Sequence, residues 1–156
     1  MEILVYIAVL AVIFLAVSSF LTWSIKVGAK ARAIREVTDN ARRAMEIITY
    51  EIREAKSIYT PTSTSTQLSL ETNHYLPSGE TSTYIDFYLC GQGNHTLCLK
   101  KESEDPIALT SDRVKVSNLE FLQIATTTPS IQINLKIDYQ DQASINLTSS
   151  ASLRSY

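Results

Sequence analysis

Charge is missing from the first part of this 156-residue chain, where no charged residue occurs between Ile3 and Ile25. Proline does not occur before Pro61, and Gly28 is the only glycine in that stretch. The chain has only two histidines and two cysteines, and it lacks long runs of lysine or arginine. These absences argue against a helix break before Pro61 and against a basic nucleic-acid-binding surface.

Sequence motifs of catalysis are also absent. The chain contains no Gly-x-Ser-x-Gly, phosphate-loop, dinucleotide-binding or His-Glu-x-x-His motif. His74 and His95 each lie beside an asparagine in predicted turns, where surface histidines are the simpler interpretation. No Cys-x-x-Cys spacing indicates a metal site. We therefore expect a protein that is not an enzyme and that has no cofactor, no metal and no nucleic-acid partner.

The uncharged stretch is long enough to cross a bilayer. As a helix, Ile3–Ile25 is roughly 34 Å long, against a hydrocarbon core of about 30 Å. A cleavable signal peptide is the competing interpretation, but its shorter apolar region normally follows basic residues, whereas Glu2 precedes this one. We predict that residues 1–25 form the membrane-spanning half of a helix. Its representative apolar positions are Ile3, Leu10, Phe14, Trp23 and Ile25.

Residues 26–58 continue the helix as an amphipathic half. Apolar residues recur there at spacings of three, four and seven, which indicates one buried stripe on a helix. Opposite charges four residues apart, such as Arg32 with Glu36 and Arg35 with Asp39, suit a solvated flank. Pro61 predicts that the helix stops near residue 58. The residues predicted to pack the stripe against the rest of the protein are Ile34, Val37, Ala41, Ile48 and Ile52.

Residues 59–156 are predicted to form a β-rich globular head. Isoleucine, leucine and tyrosine alternate with polar residues between Ile131 and Tyr139, which is typical of a strand with one buried face. The predicted strands are Gln67–Thr72, Thr83–Cys90, Thr96–Glu102, Val114–Ala125, Ser130–Tyr139 and Ala143–Ser152. An antiparallel sheet of this kind needs a cover, and the helical stripe supplies one. The expected fold class is α+β.

Cys90 and Cys98 and the basic residues after the span bear on the side of the membrane. Two cysteines within one predicted hairpin indicate a disulfide in an oxidising compartment, with two buried reduced thiols as the alternative. Lys26, Lys30 and Arg32, however, directly follow the span, and the positive-inside rule would keep them in the cytoplasm. These two features point to opposite orientations.

The residues from Glu2 to Val12 (EILVYIAVLAV) resemble the start of a type IV pilin-like protein. The long helix with a polar second half and a C-terminal β domain resembles that family along the entire chain. Two segments, Arg42–Ile58 (RRAMEIITYEIREAKSI) and Leu147–Arg154 (LTSSASLR), are similar to minor pilins and pseudopilins of the J or W type. Nothing but Met1 precedes Glu2, so the family's basic leader is expected to be missing through truncation or a misplaced start site.

The resemblance implies a structural subunit of a type IV pilus, a type II secretion pseudopilus or a DNA-uptake filament. It places Glu2 where the family has the glutamate that neutralises the N-terminal amine of a neighbouring subunit during assembly. The implied partners are other pilin or pseudopilin subunits, the inner-membrane assembly platform, membrane lipid, and the prepilin peptidase for the full-length precursor. The implied location is the cytoplasmic membrane, with the head on the periplasmic or extracellular side, and the filament after assembly. The alternative function is a membrane-tethered binding or sensor domain that does not polymerise.

Overall fold

A computed structural model describes residues 2–74, 76, 78–102, 104–124, 129–140 and 142–154. A single helix, α1 (Glu2–Glu54), runs for 53 residues, which corresponds to about 80 Å. Strands of the head follow it in the order β1 (Ser57–Ile58), β2 (Leu68–Thr72), β3 (Thr83–Cys90), β4 (Thr96–Lys101), β5 (Ile107–Ala108), β6 (Lys115–Ile124), β7 (Ser130–Tyr139) and β8 (Ala143–Ser152). The fold is α+β, as predicted.

The helix ends four residues earlier than its sequence predicts. Lys56 N–H donates to the carbonyl of Glu71 at 2.8 Å, and Ser57 and Ile58 then pair antiparallel with Glu71 and Leu70. Pairing with β2 satisfies the same backbone groups that another helical turn would have used, and it covers a sheet edge as well. Helix propensity is a weak preference, so this tertiary contact overrides it.

The strands divide between two antiparallel sheets rather than forming the single sheet that was expected. Strands β1 to β5 form one sheet in sequence order, and β6, β7 and β8 form the other. Backbone hydrogen bonds from Val116 N–H to the carbonyl of His95 and from Phe121 N–H to the carbonyl of Ser65, each 2.8 Å, connect the two. A bulge between Val116 and Asn118 shifts the register of β6 at the first of these connections.

One apolar core is shared by both sheets and the second half of α1. The odd-numbered residues of β7 from Ile131 to Ile137 are all at most 1% exposed, while the polar residues between them reach the opposite face. Helix α1 packs chiefly on β7 and β8, and its residue Ile48 is fully buried in this core. The helix thus covers the sheet face that alternation predicted to be apolar.

Predicted strand bounds agree with the structure where a residue pattern marks the whole strand. Strands β3, β7 and β8 have the predicted bounds, and β2, β4 and β6 differ by one residue at an end that the structure describes. The predicted end of β6, Ala125, lies outside the described residues. Strands β1 and β5 were not predicted, because each has only two residues and forms by pairing with a longer neighbour.

Candidate membrane and assembly site

The first half of α1 is exposed along almost its whole length. Ile3 is 74% exposed and Trp23 61% exposed, and the predicted span residues between and beyond them (Leu10, Phe14 and Ile25) are similarly exposed. The helix is long and apolar enough to cross a membrane, and its apolar window is not buried by the head. An uncovered apolar surface of this size indicates a lipid or protein environment rather than water. This helix is consistent with a protein that is anchored in a membrane by a single span.

Glu2 lies in the first turn of α1, at the tip of the apolar half. A carboxylate there interacts favourably with the positive end of the helix dipole. Within hydrocarbon the same carboxylate would be costly unless it met a cation. The position therefore demands either a polar membrane surface or a positively charged partner.

The outer end of the apolar half carries an aromatic pair. The ring centroids of Phe20 and Trp23 lie 6.2 Å apart, with their planes tilted by 42°. Tryptophan is enriched at the boundary between hydrocarbon and headgroups. Lys26 and Lys30 follow within two helical turns, so the apolar, aromatic and basic layers succeed one another along the helix.

The packing half of α1 contains four of the five predicted contact residues. Val37, Ala41, Ile48 and Ile52 are buried, at most 1% exposed. Ile34 was predicted wrongly, because its side chain is 49% exposed. Ala33, at 1% exposure, is the buried residue at this level of the helix instead.

Polar contacts on one flank of the helix explain why Ala33 is buried and Ile34 is exposed. Ser111, in the loop before β6, donates its backbone N–H to Asn40 Oδ1 at 2.8 Å and its hydroxyl to Glu36 Oε1 at 3.2 Å. Those contacts hold the base of the head against the flank that Ala33 shares. Ile34 lies about 100° further round the helix, beyond the margin of the head.

A second cluster of polar side chains lies at the C-terminal end of α1. Glu54 lies within 3.5 Å of His74 Nε2 and 3.7 Å of a guanidinium nitrogen of Arg154. One turn earlier, Glu51 is buried, and burial raises the pKa of its carboxyl group, an effect that Lys101 and His74 oppose and the nearby Glu54 reinforces. These contacts tie the end of the helix to the segment after β2 and to the end of the chain.

A groove of about 900 Å³ runs between α1 and β8, the edge strand of the smaller sheet. Met45, Tyr50, Ile145 and Leu147 form its apolar lining. Tyr50 is 58% exposed, and Ile145 and Leu147 are only half-buried. The groove is thus an accessible, mostly apolar surface on the head.

The predicted disulfide between Cys90 and Cys98 is present. The two cysteines lie diagonally across the β3–β4 hairpin, since Cys90 pairs with Thr96 and Cys98 with Tyr88. The turn that joins these strands contains Asn94 at φ 54°, a left-handed conformation that asparagine tolerates. The covalent link therefore reinforces a hairpin that backbone pairing already defines.

Within the described ranges, no three side chains of His, Cys, Asp or Glu come together as a metal site. His74 lies against Glu54, and His95 contributes its carbonyl to the contact between the sheets, so the fold places the two histidines in separate structural roles. The sequence analysis did not predict buried Glu51, although its position three residues after Ile48 and seven after Ala44 has the spacing of the buried stripe.

No family model matches this chain, and no curated protein or solved structure matches it. The features that bear on function are therefore the bare apolar half of α1, the acid at its tip, and the surfaces of the head. The structure joins the first two on one unbroken helix, and places the groove and the disulfide on the head beyond it.

Proposed function

We propose that this protein is a structural subunit of a type IV pilin-like filament, a minor pilin or pseudopilin without catalytic activity. The observation that carries the proposal is helix α1 itself. Its first half is apolar and bare, its second half packs into the head, and no break separates them over 53 residues. Such a helix can present its apolar half to lipid or to other helices without any change in the head.

In the proposed mechanism, the apolar half holds the subunit in the membrane before assembly and packs among equivalent helices afterwards. Both environments are apolar, so the transfer exchanges lipid contacts for helix contacts. Glu2 meets the positively charged N-terminal amine of a neighbouring processed subunit in the filament core. A cation at that point removes the cost of burying the carboxylate.

The proposed location is the cytoplasmic membrane, with the head on the periplasmic or extracellular side. The Cys90–Cys98 disulfide supports this orientation, because disulfides persist in oxidising compartments. Proposed partners are other subunits and the inner-membrane assembly platform, and a prepilin peptidase would process a leader-bearing precursor.

The test is Glu2→Ala in a full-length, processed version of the protein. We expect this variant to insert into the membrane normally and to be lost from the filament, because the amine of its neighbour then has no carboxylate partner. The matched control is Glu46→Ala, which removes an exposed acid from the outer half of the same helix. Filament yield is measured in sheared surface or periplasmic fractions. A normal yield of filaments containing Glu2→Ala would contradict the proposal.

The groove between α1 and β8 favours a second candidate, a membrane-tethered binding or sensor domain that does not polymerise. The two functions differ in what surrounds the apolar half. Cysteines introduced at exposed positions such as Leu10 and Phe14 would give crosslinked ladders in a filament and only monomers in a tether. Crosslinking through these cysteines thus separates the two candidate functions.

A further inference from the structure

The base of the head forms a cleft with α1 that the proposed assembly mechanism does not use. Its volume is about 580 Å³, and Arg32, Arg35 and Arg113 line it together with Glu36 and Asp39. Arg113 belongs to the loop before β6, far along the chain from the other two arginines. Folding brings these three arginines to the lining of one cleft.

Within the described ranges, the arginines of this cleft form no ion pair with a carboxylate. The ion pairs within the described ranges are Lys56–Glu71, His74–Glu54 and Arg154–Glu54, so the pairs that helical spacing predicted for Arg32 and Arg35 are not formed there. Glu36 instead accepts hydrogen bonds from Ser111 and Asn40. The cleft thus holds three arginines against two carboxylates, Glu36 and Asp39, and the one unit of positive charge in excess can attract an outside anion.

Two lysines extend this positive charge towards the membrane. Lys26 precedes the buried Ala33 by seven residues, which is two helical turns, so it lies on the side of α1 that faces the head. Lys30 lies one turn above Lys26 on the same side of the helix, and its sequence neighbour Ala29 lines the cleft. We call Lys26, Lys30, Arg32, Arg35 and Arg113 the basic collar.

Helix geometry places the two lysines of the collar at the height of the lipid headgroups and its arginines just above that layer. Ala29 is about 6 Å and Arg32 about 10 Å beyond Ile25 along the axis, and the headgroup layer is about 5 to 8 Å thick on each side. Side chains of a helix lean towards its N-terminus, which here is the membrane. Long arginine and lysine side chains can therefore bring their charges back to the lipid surface.

We infer that the basic collar binds the phosphate groups of anionic phospholipids at the membrane surface. Guanidinium groups pair with phosphate oxygens through two parallel hydrogen bonds, and phosphatidylglycerol is an anionic lipid that offers such a group. The whole chain has a formal net charge of −2, so a general attraction to an anionic membrane is not expected, and the local collar must supply it. Binding to these lipids would also supply negative charge to the lysines and arginines of the collar, which lie outside the cytoplasm when the head is exported. The inference rests on the proposed membrane insertion of α1.

The test uses the full chain in nanodiscs of equal phosphatidylglycerol and phosphatidylcholine, with retained lipids counted by native mass spectrometry after the disc is disrupted. We expect the wild-type protein to retain phosphatidylglycerol preferentially. Arg113→Gln should weaken that preference about fivefold at low salt, the effect of one cation near an anionic surface. The double variant Arg32→Gln/Arg113→Gln should weaken it further.

Arg43→Gln is the matched control, because Arg43 is an exposed arginine on the same helix about 16 Å beyond Arg32. Equal lipid preference in Arg113→Gln and Arg43→Gln, or no preference in the wild-type protein, would overturn the inference. Saturable binding of inorganic phosphate to the detergent-solubilised protein without any lipid preference would also overturn it. Failure of the chain to enter nanodiscs would instead count against the proposed membrane insertion, so the two failures are distinguishable.

Discussion

Glu51 is the residue whose environment departs most from its chemistry. A carboxyl group on the buried side of α1 gives up water, and burial raises its pKa above the ordinary value of 4.5. Lys101 and His74 lower that pKa and Glu54 raises it, so positive and negative neighbours act on this carboxyl group in opposite directions. Such a group makes the stability of the head sensitive to pH.

The first prediction concerns Glu51→Gln. Because the folded chain holds this proton more tightly than the unfolded chain, the contribution of Glu51 to the free energy of unfolding is greatest below pH 4.5. It decreases as the pH rises from 4.5 to the raised pKa of the folded state. Glutamine has the same shape and no charge, so we expect the variant to remove this dependence and to unfold at a higher temperature near pH 7.

Thermal unfolding of the detergent-solubilised chain, followed by circular dichroism across a pH series, measures the effect. Glu46→Gln serves as the control, because this acid is exposed on the same helix and should not change the profile. A profile of Glu51→Gln that parallels the wild type would show that burial of Glu51 does not influence stability.

Helix α1 behaves as two elements joined end to end. The outer part contributes small and branched apolar side chains to the core, including Ala41 and Ile48, each fully buried. Small residues let the helix approach β7 and β8 closely, and the isoleucines fill the space between. The inner part contributes nothing to that core, so its sequence is free to suit lipid or neighbouring helices.

The second prediction compares two isoleucines of this element. Ile48→Ala should reduce the free energy of unfolding by about 2 to 5 kcal/mol, since it leaves a cavity in a close-packed core. Ile34→Ala should change it by no more than about 0.5 kcal/mol, because this side chain is half-exposed beyond the margin of the head. Thermal unfolding of both variants in the same detergent measures the contrast. Equal destabilisation would mean that Ile34 is covered after all.

The whole molecule is a head carried on a stalk whose inner half is bare. Burial of α1 against the head begins at Ala33, while the residues of Glu2–Ile25 are exposed apart from the partly buried Ser18. A soluble protein seldom leaves so much apolar surface in water. The head buries its own apolar core, whereas the inner half of α1 leaves its apolar surface uncovered, which is why we propose that this half contacts lipid and partner helices.

The third prediction follows from this separation. A chain that begins at Ser24 keeps a serine as the N-cap of the shortened helix and loses the apolar half. We expect it to be a soluble monomer without detergent, with a free energy of unfolding of the head within about 0.5 kcal/mol of the full chain. Size-exclusion chromatography and thermal unfolding measure both properties. A large loss of stability would indicate contacts between the apolar half and the head.

Local patterns were sufficient to predict much of the fold. The uncharged run, the helical stripe and the alternation in β7 are each read within one segment, and the structure has the corresponding elements. Ile34 was predicted wrongly because a stripe specifies only a side of the helix. Which turns of that side are covered depends on where the loop at Ser111 docks.

The amino-acid sequence by itself determined a helix long and apolar enough to cross a membrane, its amphipathic continuation, and a β-rich head with a closely spaced cysteine pair. These follow from hydrophobicity, periodicity and turn residues, all of which act between near neighbours. Only the tertiary structure decided that the helix ends at Glu54, that the strands form two sheets, and that Arg113 joins Arg32 and Arg35 at the base of the head. Those outcomes depend on packing between segments far apart in the chain, which no local pattern encodes.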